Sequence, residues 1–195
     1  MNIESHFDPG YWNSAELRNF GFRNVGENVL IAKNITIIGV SNISLGSNIR
    51  IDGYTVINAS SGFLNLGDFI HIGGSSFLAC AGGIEFKSYS GISQGVKIYS
   101  VSDDYSGHYM TNPLVPKEFT NVDYGLVTLS EHVIVGSGSV LLPGTTLLEG
   151  TAVGALTLVN RSIGPWGIYA GVPAKLVKAR SKEILDRQKI FEQDF

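Results

Sequence analysis

The stretch Val25-Gly-Glu-Asn-Val-Leu-Ile31 has a pattern that returns along the chain: an aliphatic residue, usually glycine, two mostly polar residues, and two aliphatic residues separated by one position. Further copies are Leu45-Gly-Ser-Asn-Ile-Arg-Ile51, Leu66-Gly-Asp-Phe-Ile-His-Ile72, Leu129-Ser-Glu-His-Val-Ile-Val135 and the degenerate Leu147-Leu-Glu-Gly-Thr-Ala-Val153. The first three begin 20 and then 21 positions apart. Repetition at this period is typical of a solenoid, in which each coil stacks on its neighbours.

Within each repeat, aliphatic residues alternate with other residues over short stretches, as in Ile35/Ile37, Ile70/Ile72 and Val96/Ile98. Such alternation predicts short strands with one buried face. Small residues separate the strands and permit sharp turns. The pattern predicts an all-β fold, a parallel β-helix of triangular coils of about 18 residues, with short terminal helices.

Three segments follow from this pattern: an N-terminal cap over 1–24, the β-helix over 25–164 and a C-terminal tail over 165–195. In the cap, Ser14 is the predicted N-cap of a short helix that Gly21 ends. Phe20 and Phe22 are predicted to cover the open end of the solenoid. In the tail, Ser181 is the predicted N-cap of a helix over 181–195.

One interruption breaks the repeat. Phe86 and Leu129 lie 43 positions apart, which is one coil plus a surplus of about 25 residues. The surplus falls on Tyr99–Gly125, a polar, aromatic and proline-containing stretch. Insertions into repeat proteins form loops on one face, often the binding face. We therefore expect the function to reside in this loop and in the coils beside it.

Composition narrows the class of protein. Charged residues make up 16% of the chain and the formal net charge is −3, which argues against nucleic acid as the main partner. No apolar run is long enough for a membrane span, and the N-terminus lacks the pattern of a signal peptide. Cys80, the one cysteine, allows no internal disulfide. These features predict a cytoplasmic protein.

The coils, the loop and the ending Ala170-Gly-Val-Pro-Ala-Lys175 together resemble the hexapeptide-repeat acyltransferases over residues 14–180. The resemblance implies a left-handed β-helix, a homotrimer with active sites between subunits, acetyl-CoA or another acyl-CoA as co-substrate, and no metal. The loop stretches Ser102-Asp-Asp-Tyr-Ser-Gly107 and Thr111-Asn-Pro look closest to N-acyltransferases of nucleotide-linked 4-amino-4,6-dideoxy sugars, which serve O-antigen and capsule biosynthesis.

The resemblance also implies the catalytic candidates. Many sugar O-acetyltransferases of this family place a histidine early in the loop, where it removes the proton of a hydroxyl. Asp103 stands at the matching position here. A sugar hydroxyl needs a good base, whereas a sugar amine already carries its lone pair, so Asp103 favours N-acylation. O-acylation of a sugar hydroxyl remains the alternative.

Three further residues are catalytic candidates. Asp104 contacts the sugar or, like Asp103, serves a turn of the loop. His108 is a displaced base or a solvent-facing histidine. Ser93 binds the substrate or the oxyanion, or is only a small corner residue.

For coenzyme A, the resemblance implies a groove along the coils in which small residues let the pantetheine approach the backbone. The predicted residues are Gly136, Ser137, Gly154, Ala155 and Thr157, with Pro173 beside the adenine and Lys175, Lys178 and Arg180 at the phosphates. The alternative is that the small residues serve the corners and the basic residues face solvent.

Two other functional classes, a metal-dependent β-helix enzyme and a non-enzymatic solenoid, agree less well with the sequence. A metal-dependent β-helix enzyme needs three convergent histidines, but His71, His108 and His132 lie 37 and 24 positions apart. His71 is predicted to point outward from the coil, and His132 occupies the repeat position of Asn28 and Asn48, which indicates a structural role. A non-enzymatic solenoid would need neither the loop nor the basic ending.

Overall fold

The computed structural model describes residues 8–194, and side chains as far as Gln193. Within these residues there are two α-helices, α1 (Ser14–Leu17) and α2 (Glu183–Asp194), and short 3-10 helices at Val40–Asn42 and Lys117–Phe119. The strands are β1 (Tyr11–Asn13), β2 (Asn24–Val25), β3 (Val29–Ala32), β4 (Thr36–Ile38), β5 (Ile43–Leu45), β6 (Ile49–Ile51), β7 (Val56–Asn58), β8 (Leu64–Leu66), β9 (Ile70–Ile72), β10 (Phe77–Ala79), β11 (Ile84–Phe86), β12 (Gly91–Ile92), β13 (Lys97–Tyr99), β14 (Val101–Ser102), β15 (Asp123–Tyr124), β16 (Val127–Leu129), β17 (Ile134–Val135), β18 (Val140–Leu141), β19 (Thr146–Leu147), β20 (Ala152–Val153), β21 (Leu158–Val159), β22 (Gly167–Ala170) and β23 (Lys175–Ala179).

Three sheets form the sides of a triangular solenoid. Face A contains β1, β3, β6, β9, β12, β17, β20, β22 and β23; face B contains β2, β5, β8, β11, β16 and β19; face C contains β4, β7, β10, β13, β18 and β21. The chain passes from face B to face A to face C in each coil, so successive strands of one face belong to successive coils. This confirms the predicted parallel β-solenoid. Its left-handed sense stays a prediction of the resemblance.

The core is a set of aliphatic ladders along the solenoid axis. On face A, Ile31, Ile51, Ile72, Ile92 and Val135 are each buried to 2% exposure or less. They pair in register from coil to coil, so each inward side chain stacks on the next. Burial of aliphatic side chains at this density is the main favourable term in the stability of the fold.

The ends of face A depart from the parallel pattern. β1 pairs antiparallel with β3 at one end, and β22 pairs antiparallel with β23 at the other. Phe22 packs partly buried against the core, whereas Phe20 is 44% exposed and makes an edge-on contact with Trp12. The antiparallel strand β1, together with Phe22, therefore covers the first coil.

The predicted N-cap of α1 is wrong by one residue. Asn13 is the N-cap: its side chain accepts from the backbone N–H of Ala15 and Glu16, and Glu16 completes a capping box. Ser14 is buried instead, and its Oγ accepts from the Val29 N–H at 2.8 Å. The helix is also shorter than the predicted segment.

Helix α2 lies against the corner that precedes face A. Residues at this corner adopt positive φ in coil after coil: 57° at Phe69, 60° at Tyr89 and 59° at His132. The Phe69 and Tyr89 rings stack at 4.9 Å and Tyr89 stacks on His132 at 5.4 Å. Phe191 of α2 contacts Phe69 edge-on at 5.3 Å. We call Phe69, Tyr89 and His132 the aromatic corner. Of the predicted helix, Phe195 lies outside the described residues.

Candidate active site

The insertion is carried on a two-stranded stem. β14 and β15 pair antiparallel, with Val101 opposite Tyr124 and Ser102 opposite Asp123. The loop therefore occupies 103–122 and leaves the coil next to β13, within the predicted 99–125. An isolated bridge between Met110 and Thr120 closes its outer part.

The loop encloses a cavity of about 750 Å³ against its own stem. Asp103, Asn112, Lys117, Asn121 and Tyr124 contribute polar groups to its wall. Asp103 is exposed. The cavity is thus large enough for a sugar-sized ligand and presents a carboxylate and an ammonium group to it.

Asp104 has a different environment from Asp103. Its carboxylate accepts from the backbone N–H and the hydroxyl of Ser106 and from the Asn121 side chain, the last at 3.1 Å. Hydrogen bonds from Ser106 and then from Asn121 lower the pKa of Asp104. These hydrogen bonds are typical of a loop turn, which is the second of the two roles considered for Asp104. His108 is exposed and donates its backbone N–H to the Ser106 Oγ at 3.1 Å.

Ser93 lies at the corner between face A and face C. The paired residues Ile72, Ile92 and Val135 put the residues that follow them in one column. We call this column the small-residue corner; its members are Gly73, Ser93, Gly136 and Gly154. The Ser93 N–H donates to Val135 O and the Gly136 N–H donates to Val153 O, both at 2.8 Å. The structure thus brings Ser93 to within one coil of the predicted pantetheine residues.

Close backbone packing requires small residues at this corner. A Cβ at Gly136 would lie 2.5 Å from the Ala155 nitrogen, so a larger residue does not fit there. Ser137 and Ala155 lie outside the corner and are exposed. The Thr157 side chain points into the coil, where it is 1% exposed and accepts from the Gly171 N–H at 3.3 Å.

The basic tail residues differ in exposure. Pro173, Lys175 and Lys178 are exposed. Arg180 is partly buried and donates to His132 O at 2.7 Å and to Gly150 O at 2.9 Å. Burial lowers the pKa of Arg180. One guanidinium nitrogen of Arg180 thus holds two coils together, whereas the two lysines are accessible to a ligand.

Sequence reasoning missed a polar cluster at the other end of the small-residue corner. Asp52 lies in the same column, between Ala32 and Gly73 and two coils before Ser93, and both of its oxygens are occupied. Oδ1 accepts from Tyr11 Oη at 2.9 Å and Arg50 Nε at 2.7 Å, and Oδ2 contacts His71 Nε2 at 2.8 Å. The available signal was an aspartate at a repeat position otherwise held by small residues.

Burial and hydrogen bonding act in opposite directions on Asp52. Burial disfavours its charged form, but the hydrogen bonds from His71, Arg50 and Tyr11 outweigh it, and the pKa of Asp52 is lowered. The carboxylate therefore remains ionised and fixes the positions of Arg50 and His71.

In residues 8–194, no helix is both long and apolar enough to cross a membrane. The same part of the chain contains no cluster of three or more His, Cys, Asp or Glu side chains arranged to hold a metal ion.

A triangular parallel solenoid with one inserted loop beside a corner of small residues is the architecture of a hexapeptide-repeat acyltransferase. No family model matches the chain. It is 41% identical over 182 residues to dTDP-4-amino-4,6-dideoxy-D-glucose acyltransferase of Escherichia coli, covering 93% of this chain and 95% of that protein. The chain belongs to the family of this acyltransferase and is an acyltransferase itself.

Solved structures agree. The chain is similar to AntD, an N-acyltransferase from Bacillus cereus, with 34% identity, a TM-score of 0.92 and coverage of 97% of this chain and 100% of that one. AntD variants of one serine and one aspartate have been solved with coenzyme A and either dTDP or dTDP-4-amino-4,6-dideoxyglucose. A more distant relative is the putative lipopolysaccharide biosynthesis O-acetyl transferase WbbJ of Escherichia coli strain K12, 34% identical over 74 residues, which are 38% of each chain.

Proposed function

We propose that this enzyme transfers an acetyl or other short acyl group from acyl-CoA to the amino group of a nucleotide-linked deoxy-amino sugar. The acceptor that fits best is dTDP-4-amino-4,6-dideoxyglucose, the sugar named for the Escherichia coli relative and bound in an AntD structure. The observation that carries the proposal is the agreement of these relatives with Asp103, the carboxylate at the expected histidine position of the loop.

The chemistry needs little from the protein beyond positioning. The amine nitrogen attacks the thioester carbonyl, the carbon–sulfur bond breaks, and the products are an amide and the thiol of coenzyme A. The amine must lose one proton, and the thiolate must gain one. The Asp103 carboxylate orients the amine and takes its proton after attack. Ser93 donates a hydrogen bond to the oxyanion or to the sugar.

The spacing of Ser93 and Asp103 supports these two assignments. In AntD, the serine and the aspartate chosen for substitution are ten positions apart. Ser93 and Asp103 are also ten positions apart. Ser93 lies at the corner before β13, and Asp103 is the first loop residue after β14. The two residues therefore flank the stretch in which the chain leaves the coil and enters the loop.

The donor binds along the same corner in this proposal. The pantetheine lies over Gly136, Ser137, Gly154 and Ala155, and the tail residues Pro173, Lys175 and Lys178 contact the adenine and the phosphates. Ser93 lies one coil before Gly136, which puts the thioester next to the acceptor amine. Thr157 supports this surface from beneath through its hydrogen bond with the Gly171 N–H, whereas Arg180 holds the coils together at the other end of the face A strands.

The assembly and setting are part of the proposal. The enzyme acts as a homotrimer in the cytoplasm, with active sites between subunits, and its product enters O-antigen or capsule biosynthesis. The lipopolysaccharide relative supports this setting. O-acylation of a sugar hydroxyl is the second candidate, and the same O-acetyltransferase relative favours it.

An activity assay tests the proposal. The enzyme is incubated with acetyl-CoA and each of a panel of nucleotide-linked amino sugars, and a thiol-reactive dye detects the coenzyme A that is released. We expect stoichiometric thiol release and an acetylated product, by mass, with at least one 4-amino-4,6-dideoxy sugar. Absence of turnover with every amine, together with turnover of a hydroxyl acceptor, would overturn the proposal in favour of the second candidate.

A further inference from the structure

We infer that Arg50 and His71, held by Asp52, form the subsite for the diphosphate of the nucleotide-linked acceptor. This inference rests on the proposed function, since it assigns the acceptor's phosphates to a particular place on face A. Arg50 and His71 themselves lie outside the loop, the small-residue corner and the basic tail.

The cluster lies on the side of Ser93 that faces away from the donor residues. Asp52 and Ser93 lie in one corner column, two coils apart. Neighbouring strands of a sheet are about 4.8 Å apart, so the two corners are separated by about 10 Å. The donor residues Gly136 and Gly154 lie on the opposite side of Ser93. An acceptor whose amine is at Ser93 therefore has its remaining part directed toward Asp52, away from coenzyme A.

A continuous surface connects the cluster to Ser93. A depression of about 350 Å³ is lined by Arg50, Phe69 and His71. A second depression, of about 320 Å³, is lined by Phe69, His71, Gly91 and Ser93. The two share Phe69 and His71, and Gly91 leaves the surface between His71 and Ser93 without a side chain. A ligand can thus extend along face A from Ser93 to Arg50.

The side chains of Arg50 and His71 have the chemistry of a phosphate site. Asp52 occupies Nε of Arg50 and Nε2 of His71, while the side chains remain 57% and 51% exposed. The Asp52 side chain is 17% exposed, so the accessible part of the cluster consists mainly of the two nitrogen-bearing side chains. An arginine fork with its orientation fixed binds phosphate oxygens in a bidentate manner, and the imidazole beside it has a second ring nitrogen that Asp52 does not occupy.

A purely structural role explains less of this arrangement. The hydrogen bond from Tyr11 to Asp52 connects β1 to the coils, and the Arg50 guanidinium lies 5.4 Å from the centre of the Tyr11 ring, whereas His71 takes no part in this connection. Exposed ion pairs contribute little to stability. The outward positions of the neighbouring face A strands are Leu30, Gly91, Ile134 and Ala152, so two exposed nitrogen-bearing side chains stand out on an otherwise uncharged strip.

Equilibrium binding of dTDP and of coenzyme A to the full chain tests the inference. We expect Arg50→Leu to raise the Kd of dTDP by about 10- to 100-fold, because a charge-assisted contact to phosphate is lost. His71→Leu should have a smaller effect in the same direction. Both variants should keep the coenzyme A affinity of the wild type within about twofold. Arg23→Leu, an exposed arginine on the approach to face B, is the matched control.

Thermal unfolding checks that each variant is folded, and Arg50→Gln, which keeps a donor for Asp52, replaces Arg50→Leu if the latter is not. An unchanged dTDP affinity in folded Arg50 and His71 variants would overturn the inference, as would an equal loss of coenzyme A affinity or a wild type that does not bind dTDP. Failure of the proposed function looks different: the wild type binds dTDP through Arg50 but releases no thiol with any amino sugar.

Discussion

Asp103 and Asp104 are adjacent in the loop, but only Asp103 presents its carboxylate without the turn contacts that hold Asp104. We expect Asp103→Asn to lower kcat for N-acylation by roughly 10²-fold, because the amide can orient the amine but cannot take its proton. Steady-state kinetics with acetyl-CoA and the amino sugar measure this.

Asp104→Asn is the matched control for Asp103. It weakens the hydrogen bonds to Ser106 and Asn121 that shape the loop. We expect its main effect to be a higher KM for the acceptor. Full activity of Asp103→Asn would show that Asp103 is not the proton acceptor.

Asp52 gives a prediction for stability against pH. Its pKa is lower in the folded protein than the ordinary 3.8, because three hydrogen-bond donors outweigh the effect of burial. A carboxyl of this kind stabilises the fold above its unfolded pKa, and the stabilisation is lost as the pH falls through its folded pKa. We expect Asp52→Asn to lower the free energy of unfolding at neutral pH, and the difference from wild type to shrink below about pH 3.8.

Urea unfolding of both proteins across this pH range measures the difference. Asp68→Asn, in another corner column, is a suitable comparison. A difference between Asp52→Asn and wild type that stays constant from neutral pH down to about pH 3 would contradict this account of Asp52.

At the scale of elements, the aromatic corner fastens helix α2 to the coils. Tyr89 stacks between Phe69 and His132 and donates its hydroxyl to Glu192 at 3.0 Å. We expect Tyr89→Ala to lower the free energy of unfolding by about 2–4 kcal/mol, because it removes a packed ring from between two others. Limited proteolysis should then cut the chain near α2 more rapidly.

Tyr89→Phe distinguishes the contribution of the aromatic ring to stability from that of the hydroxyl group. It retains the stack and loses one exposed hydrogen bond, so we expect a cost of less than about 1 kcal/mol. Equal destabilisation by the two substitutions would indicate that the hydroxyl, and not the stack, holds the helix.

Ala155, next to the small-residue corner, gives a prediction for the binding of acetyl-CoA. Ala155 is exposed, so a larger side chain there can be accommodated by the fold. We expect Ala155→Trp to raise the KM for acetyl-CoA by about tenfold or more, because the ring covers the predicted pantetheine path. Glu131→Trp is the control: Glu131 is exposed next to His132 of the aromatic corner, and this variant should keep the wild-type KM for acetyl-CoA. A normal KM for Ala155→Trp would move the donor site elsewhere.

The strands of the coils were predicted well because the same pattern of buried aliphatic residues recurs in every repeat. Inward aliphatic residues recur in register, and the failure of the period at Tyr99–Gly125 located the inserted loop. Ser14 was misassigned because Asn13 and Ser14 are both good N-cap residues. Only the folded coil shows that the Ser14 hydroxyl is used by Val29.

The polar cluster could not be predicted from the repeat. Tyr11 reaches Asp52 from β1, whose antiparallel pairing with β3 leaves no periodic signal in the sequence. Arg50 and His71 come from successive coils and are neighbours only through the register of face A. Their proximity depends on three-dimensional stacking that a single repeat does not specify.

For the whole molecule, one edge of the solenoid accounts for most of the proposed chemistry. Arg50, Asp52 and His71 lie at one end of this edge, Ser93 in the middle, and Gly136, Gly154 and the tail at the other end. In the proposed arrangement, acceptor and donor approach from opposite ends and meet at Ser93, next to the loop that carries Asp103. A rigid stack of coils is suited to this task because it fixes the distances between subsites.

The most direct measurement compares two acceptors that differ at one atom: dTDP-4-amino-4,6-dideoxyglucose and its counterpart with a hydroxyl in place of the amine. Both are incubated with acetyl-CoA, and thiol release and product mass are followed. We predict stoichiometric formation of the amide with the amine and a rate at least about 10²-fold lower with the hydroxyl. Equal or faster turnover of the hydroxyl acceptor would contradict the assignment of this enzyme as a sugar N-acyltransferase.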